Sequence, residues 1–343
     1  MKKYSVPGGI SRATVLTTYS VMKFFAEWTS YTAVYGMVKL HCSDDKFLYL
    51  IFLYNAICAS AMLVFGLVSD KVNRGKFGVM LGAALLGTGF AFPASLGVTA
   101  KLSLCALGIS AMNAFAAREI SRTTGAYGLS VFVGSSVLGY GVGRFNMFYG
   151  YVAAFAAVLC AALAPLDVKS ADANDKPENT SVFSKLSFPL SITGAAILAC
   201  AVESANVFGR IYKRRDVLIA AFLFFAGTAA YYAARRFIKN ITPHTVSAPL
   251  SAAVFVASVY LLDGGIIKTA AVMISLGIAF SVLLDTSDKC KYRGLSASAV
   301  FASLYAGHTV YVFLGGSFLL YAVILFVVMS LVAATGIIGS KKA

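Results

Sequence analysis

Charged side chains are scarce. They make up 13% of the 343 residues, against 59% hydrophobic, and that balance excludes both an ordinary soluble protein and a disordered one. A large soluble catalytic domain is excluded as well, because the longest clearly polar stretch runs only from Leu166 to Leu186. The 6 cysteines form no CxxC pair and most sit inside apolar runs, so they read as small core residues rather than a disulfide scaffold. There is no HExxH, no nucleophile elbow and no carboxylate cluster with metal spacing. The histidines, His41, His244 and His308, are too dispersed in sequence to suggest a metal site. These absences argue against an enzyme and point to no metal and no cofactor. The phosphate-binding GxxxxGK[ST] is missing too, which leaves ATP-driven transport without an engine.

Long apolar runs fill the space instead. A spanning helix needs about 20 apolar residues. On that ruler the sequence predicts an all-α, polytopic membrane protein with twelve spans, near 14–38, 47–69, 77–97, 102–117, 125–142, 147–165, 187–207, 217–234, 246–262, 267–284, 294–312 and 317–337. The first run follows the basic start Met1-Lys2-Lys3 and is too long for a signal-peptide core, so it is expected to remain as a span. Lys169 to Lys185 lies within a polar connector that divides the chain into residues 1–166, a linker 167–186 and residues 187–343.

The 29 Lys and Arg exceed the 14 Asp and Glu by 15, yet the basic residues fall in short gaps between the runs. That is a topology signal rather than a nucleic-acid patch. With the N-terminus inside, nineteen basic residues lie on the cytoplasmic side and nine outside, which predicts that both termini are cytoplasmic, as in a cell (inner) membrane protein. Four of the nine come from one segment, Gly209 to Asp216, which reads first as tolerated external charge and otherwise as a basic external mouth that attracts anions or a misplaced span. The halves share weak self-similarity at an offset of 166, with Gly128-Leu129-Ser130 on Gly294-Leu295-Ser296, Leu138 on Leu304 and Gly150 on Gly316. This favours a parallel duplication of two six-helix bundles.

Between the second and third spans stands Gly66-Leu-Val-Ser-Asp70-Lys71-Val-Asn-Arg74-Gly75-Lys76. This segment resembles the cytoplasmic loop signature of the major facilitator superfamily, with Asn73 where that family usually has glycine. The resemblance implies two six-helix bundles and secondary active transport by alternating access. It also implies that Gly66, Asp70, Arg74 and Lys76 form a conformational-switch loop. In the second half the offset carries Asp70 onto Arg236, so the carboxylate is lost there. The fifth span, with Gly125, Gly134 and Gly139, partly resembles the superfamily's antiporter pattern. Close helix packing through Gly139-x3-Gly143 explains the same glycines more simply.

Ionisable residues inside apolar runs are costly and mark function. The first span carries Tyr19, Lys23, Glu27, Tyr31 and Tyr35 at four-residue steps, which puts them along one slowly rotating face. Glu27 is the expected coupling carboxylate and Lys23 its switchable partner; a permanent structural bridge between them is the competing reading. Glu203 and Asn206 in the seventh span, His308 in the eleventh, and Asn55 and Asn113 in the second and fourth complete the candidates for solute or coupling-ion contact. Glu203 has Arg210 as a possible partner, and Asn55 and Asn113 have the alternative of joining helices.

The function expected is transport of a small, anionic or amphipathic solute, coupled to a proton or ion gradient. Lys23, His308 and the basic outer loop favour an anion. The expected partners are that solute, the coupling ion and membrane lipids, with no nucleic acid, and the expected state is a monomer. A drug or lipid exporter of the same fold, or a non-transporting membrane receptor or scaffold, remain the alternatives.

Overall fold

Backbone buried in hydrocarbon must satisfy every N–H and C=O within itself, and an apolar run does so by forming a helix. The computed structural model describes residues 11–38, 43–72, 75–91, 97–164, 182–207, 214–237, 243–262, 265–287 and 292–340. Among these residues the regular structure is entirely helical, with no strand. The α-helices are α1 Arg12–Tyr31, α2 Asp44–Lys71, α3 Gly75–Ala91, α4 Gly97–Phe145, α5 Gly150–Leu163, α6 Val182–Ser204, α7 Arg214–Phe237, α8 Pro243–Leu261, α9 Gly265–Ser287, α10 Arg293–Leu314 and α11 Phe318–Ser340. Helix α1 starts at a serine cap, where the Ser11 hydroxyl accepts from the Thr14 N–H at 3.0 Å. It passes at its far end into a π-helical stretch, Thr32–Val38, a rare geometry that is frequent at functional sites.

Six of the described helices are long and apolar enough to cross a membrane, and four shorter apolar ones accompany them. Large apolar side chains such as Phe77, Phe155, Leu163, Phe222, Leu319 and Val323 lie on the surface, while Lys23, Glu27, Asn55, Asn113, Arg118, Glu119 and Asp285 are buried. A water-soluble protein sorts these residues the other way. The chain is a multi-pass membrane protein.

The sequence places a short basic gap between the fourth and fifth spans. The structure fills it with helix: α4 runs through Arg118 and Arg122, and the only non-helical residue inside it is Gly125, at φ 66° and ψ −157°. That conformation is open to glycine alone, so one residue breaks the helix where the sequence suggests a loop. Arg118 is buried against carboxylates.

Two compact units divide the described chain: one from Met1–Asp175 with Tyr292–Tyr305, the other from Lys176–Lys291 with Ala306–Ala343. The division falls within the polar connector, and the first half of α10 groups with the first unit. There α4 is the central element, packed by α1, α2 and α3, with α5 against α1 and α3. Tyr19, Met22, Leu50, Met62, Leu86, Ile109, Met112, Ile120 and Phe132 fill its core. In the second unit α9 packs on α7, α8 and α6, and α11 on α6 and α8, around Phe224, Tyr231 and Phe255. Glycine brings helices close in the first unit: a Cβ on Gly139 would sit 2.2 Å from the Phe24 carbonyl oxygen of α1. Gly139 of the fifth span thus serves close packing against α1.

Candidate functional site

Helix α1 delivers Tyr19, Lys23 and Glu27 into the interior of the first unit, at 2%, 5% and 8% exposure. Lys23 Nζ bonds Glu27 Oε1, one turn away on the same helix. The ammonium also lies 5.5 Å from the centre of the Phe132 ring of α4, within reach of a cation–π attraction. Tyr305 of α10 donates its hydroxyl to the same Glu27 Oε1 at 3.5 Å. Nearby, the hydroxyls of Ser30 in α1 and Tyr54 in α2 are bonded to each other. Toward the π-helical end, Tyr31 stacks on Tyr35 at 4.6 Å and meets Tyr140 edge-on at 4.8 Å. The four-residue stripe therefore changes character along its length, from a buried charge pair to an aromatic cluster.

The two asparagines differ in environment. Asn55 is buried on α2. Asn113 is buried on α4, and neither its Oδ1 nor its Nδ2 has a hydrogen-bond partner among the described residues. An unsatisfied buried amide is costly.

Asp70, in the last turn of α2, accepts two backbone amides. Its Oδ1 accepts the Gly294 N–H at 2.9 Å and its Oδ2 the Leu295 N–H at 2.8 Å. These are orphan donors of the first turn of α10, where a helix favours negative charge. Gly66 makes room: a Cβ there would lie 2.7 Å from the Ser298 Cβ. Arg118 reaches Asp70 Oδ1 at 3.9 Å and bonds Glu119 Oε1 at 2.9 Å. Lys76 stands at the start of α3, partly exposed. Arg74 lies outside the described residues, as do Arg210 and most of the basic segment around it.

In the second unit His308 Nδ1 is 2.9 Å from Glu203 Oε1. The carboxylate thus has a partner on α10. Asn206 is exposed, with φ 50°, and its N–H bonds the Glu203 carbonyl at 2.8 Å, so it closes the end of α6. Asn tolerates that left-handed conformation better than most residues.

One polar cluster is absent from the candidates drawn from the sequence. Asp285 of α9, buried, accepts from Tyr231 of α7 at 3.0 Å and pairs with Arg235. The offset of 166 that aligns the halves carries Glu119 onto Asp285, Ser69 onto Arg235 and Asp70 onto Arg236. The first unit sets an acid on α2 beside a basic residue on α4; the second sets a basic residue on α7 beside an acid on α9. That offset is the signal by which Asp285 is legible.

The chain is a helical, multi-pass membrane protein. Solved structures define it further. The chain superposes on the human organic anion transporter MFSD10 (TETRAN) with a TM-score of 0.67 at 12% identity, covering 94% of this chain and 100% of that one. It superposes on the major facilitator superfamily transporter FucP in its outward conformation with a TM-score of 0.58 at 13% identity, over 93% and 97% of the two chains. A second structure of FucP, the Escherichia coli fucose:proton symporter, gives 0.57 over the same shares. No protein-family model and no curated protein sequence matches the chain. The fold is that of the major facilitator superfamily.

Proposed function

We propose that this protein is a secondary active transporter that moves a small anionic or amphipathic solute by alternating access, coupled to a proton or ion gradient. The proposed architecture is twelve spans, with α4 counted as two helices on either side of Gly125, arranged as two six-helix bundles joined by the 167–186 linker. The proposed setting is a cell (inner) membrane with both termini cytoplasmic, and the working unit is a monomer.

The observation that carries this reading is the buried Lys23–Glu27 pair. An ion pair taken out of water gains little stability over apolar residues of the same size. In a spanning helix it marks a working site. Glu27 is the proposed coupling carboxylate. Lys23 is the proposed solute cation, freed when Glu27 takes up a proton, with Tyr19, Tyr31, Asn55 and Asn113 as further solute contacts. Glu203 and His308 form a second titratable pair for the coupling ion, and Asn206 is kept only as the close of α6. Two proteins that share the fold support the same direction, one an organic anion transporter and the other a fucose:proton symporter.

The test starts from purified protein and a thermal-shift panel of organic anions, organic cations, sugars, lipids and drugs. A ligand at a hundred times its dissociation constant stabilises the folded state by about 2.7 kcal/mol. The expected hit is an organic anion whose effect disappears in Lys23→Ala. In proteoliposomes, an imposed proton gradient should drive its accumulation in the native protein and fail to do so in Glu27→Gln. Gradient-driven uptake at the native rate by Glu27→Gln would refute the coupling role.

A further inference from the structure

Within the first unit, the contacts of residues Tyr292–Tyr305 of α10 are known position by position. Gly294 meets Asp70, Ser298 meets Gly66, Phe301 meets Phe132 with ring centres 6.0 Å apart, and Tyr305 meets Glu27. Residues 294, 298, 301 and 305 follow the four-three-four spacing that keeps side chains on one helical stripe. From Gly294 to Tyr305 the stripe is about 16 Å long at the α-helical rise. Its two ends rest on carboxylates and its middle on van der Waals contact. At the far end the tyrosine hydroxyl and the Lys23 ammonium share a single acceptor, Glu27 Oε1.

We propose that Tyr305 is the positioning residue that ties the charge state of Glu27 to the seating of helix α10. This rests on the reading of Glu27 as the coupling carboxylate. An ionised carboxylate is the better acceptor for both donors, and at 3.5 Å the tyrosine contact is the more easily lost. A protonated carboxyl is a weaker acceptor and carries a donor of its own. The bond from Tyr305 to Glu27 therefore weakens on protonation while Asp70 keeps the other end. Whatever protonates Glu27 is thus felt on a different helix without any movement of α1.

The titratable and charged groups around Glu27 are Lys23 on its own helix, Tyr54 and Cys58 of α2, and Tyr305 of α10. Along α10 the others are Asp70 at its start and, within the second unit, Glu203 through His308. Each is separable by substitution.

The experiment combines two readouts on the full-length protein in lipid nanodiscs. Infrared difference spectra between neutral and acid buffer should show a carboxylic-acid band that is lost in Glu27→Gln and kept in Tyr305→Phe. Hydrogen exchange of the α10 peptides, corrected for intrinsic rates, should be faster in acid by about tenfold in the native protein, the scale of one hydrogen bond to a charged group. That acid response should vanish in Tyr305→Phe and in Glu27→Gln, and survive in Asp70→Asn and His308→Gln. An intact response in Tyr305→Phe with the infrared band present overturns the inference and leaves the Glu27 reading standing. Loss of the response in Asp70→Asn or His308→Gln assigns it to that contact and overturns the inference likewise. Absence of the band from the native protein overturns the Glu27 reading itself, and this one with it.

Discussion

Asp70 holds two backbone amides with two oxygens, one each from Gly294 and Leu295. Asn in its place keeps one acceptor and loses the charge that the start of a helix favours, at a cost of about 1–2 kcal/mol. Because the contact lies away from Lys23 and Glu27, Asp70→Asn is expected to lower kcat severalfold while KM for the solute stays within about twofold. A large rise in KM at unchanged kcat would place Asp70 in solute binding instead. Arg235 and Asp285 make the opposite kind of prediction. Asp285 is 5% exposed at its side chain and Arg235 44%, so Arg235→Gln strands a buried carboxylate with Tyr231 as its remaining named partner. Discounted for the exposed arginine, the loss is about 2 kcal/mol, read as a lower unfolding temperature in detergent. Asp285→Asn, which strands no charge, should cost less.

Glycine at position 125 decides the form of a whole element. Its φ of 66° and ψ of −157° break an otherwise continuous helix of 49 residues. Gly125→Ala either straightens the segment or strains it by about 1–3 kcal/mol, and a reduced yield of folded protein with a lower unfolding temperature is expected. An unchanged temperature would mean that the break is not required. At this scale the sequence is most legible. The apolar runs locate the helices within a few residues, because length and hydropathy are local properties. The gap after the fourth span is misread because Arg118 and Arg122 are counted as loop charges. Counting sees charge but not partners, and Glu119 and Asp70 are what allow Arg118 inside. The Lys23–Glu27 pair is legible for the reverse reason, since both partners sit on one helix at a spacing of four. Tyr305, Phe132 and the histidine partner of Glu203 belong to distant segments, which no local pattern brings together.

The whole molecule divides at the connector, yet Tyr292–Tyr305 groups with the first unit. Coexpressed fragments 1–175 and 176–343 are therefore expected to copurify, and the first to be less stable to heat when expressed alone. Equal stability alone and together would show that the α10 stripe contributes nothing to that unit. The duplication at an offset of 166 is faint in sequence because biased apolar composition produces identities by chance. It becomes informative only where polar residues coincide, as Glu119 does with Asp285.

On the proposed roles of Glu27 and Lys23, the pairing of one lysine with one glutamate also bears on the response to an electric field. In the empty state the pair sums to zero. With Glu27 protonated and a monovalent anion on Lys23 the sum would again be zero. A charge crossing the bilayer exchanges about 2.3 kcal/mol with every 100 mV, and this pair would offer the field no net charge in either form. A carrier working this way would draw at this site on the proton concentration difference alone, so collapsing the membrane voltage while holding the pH gradient would leave its transport running.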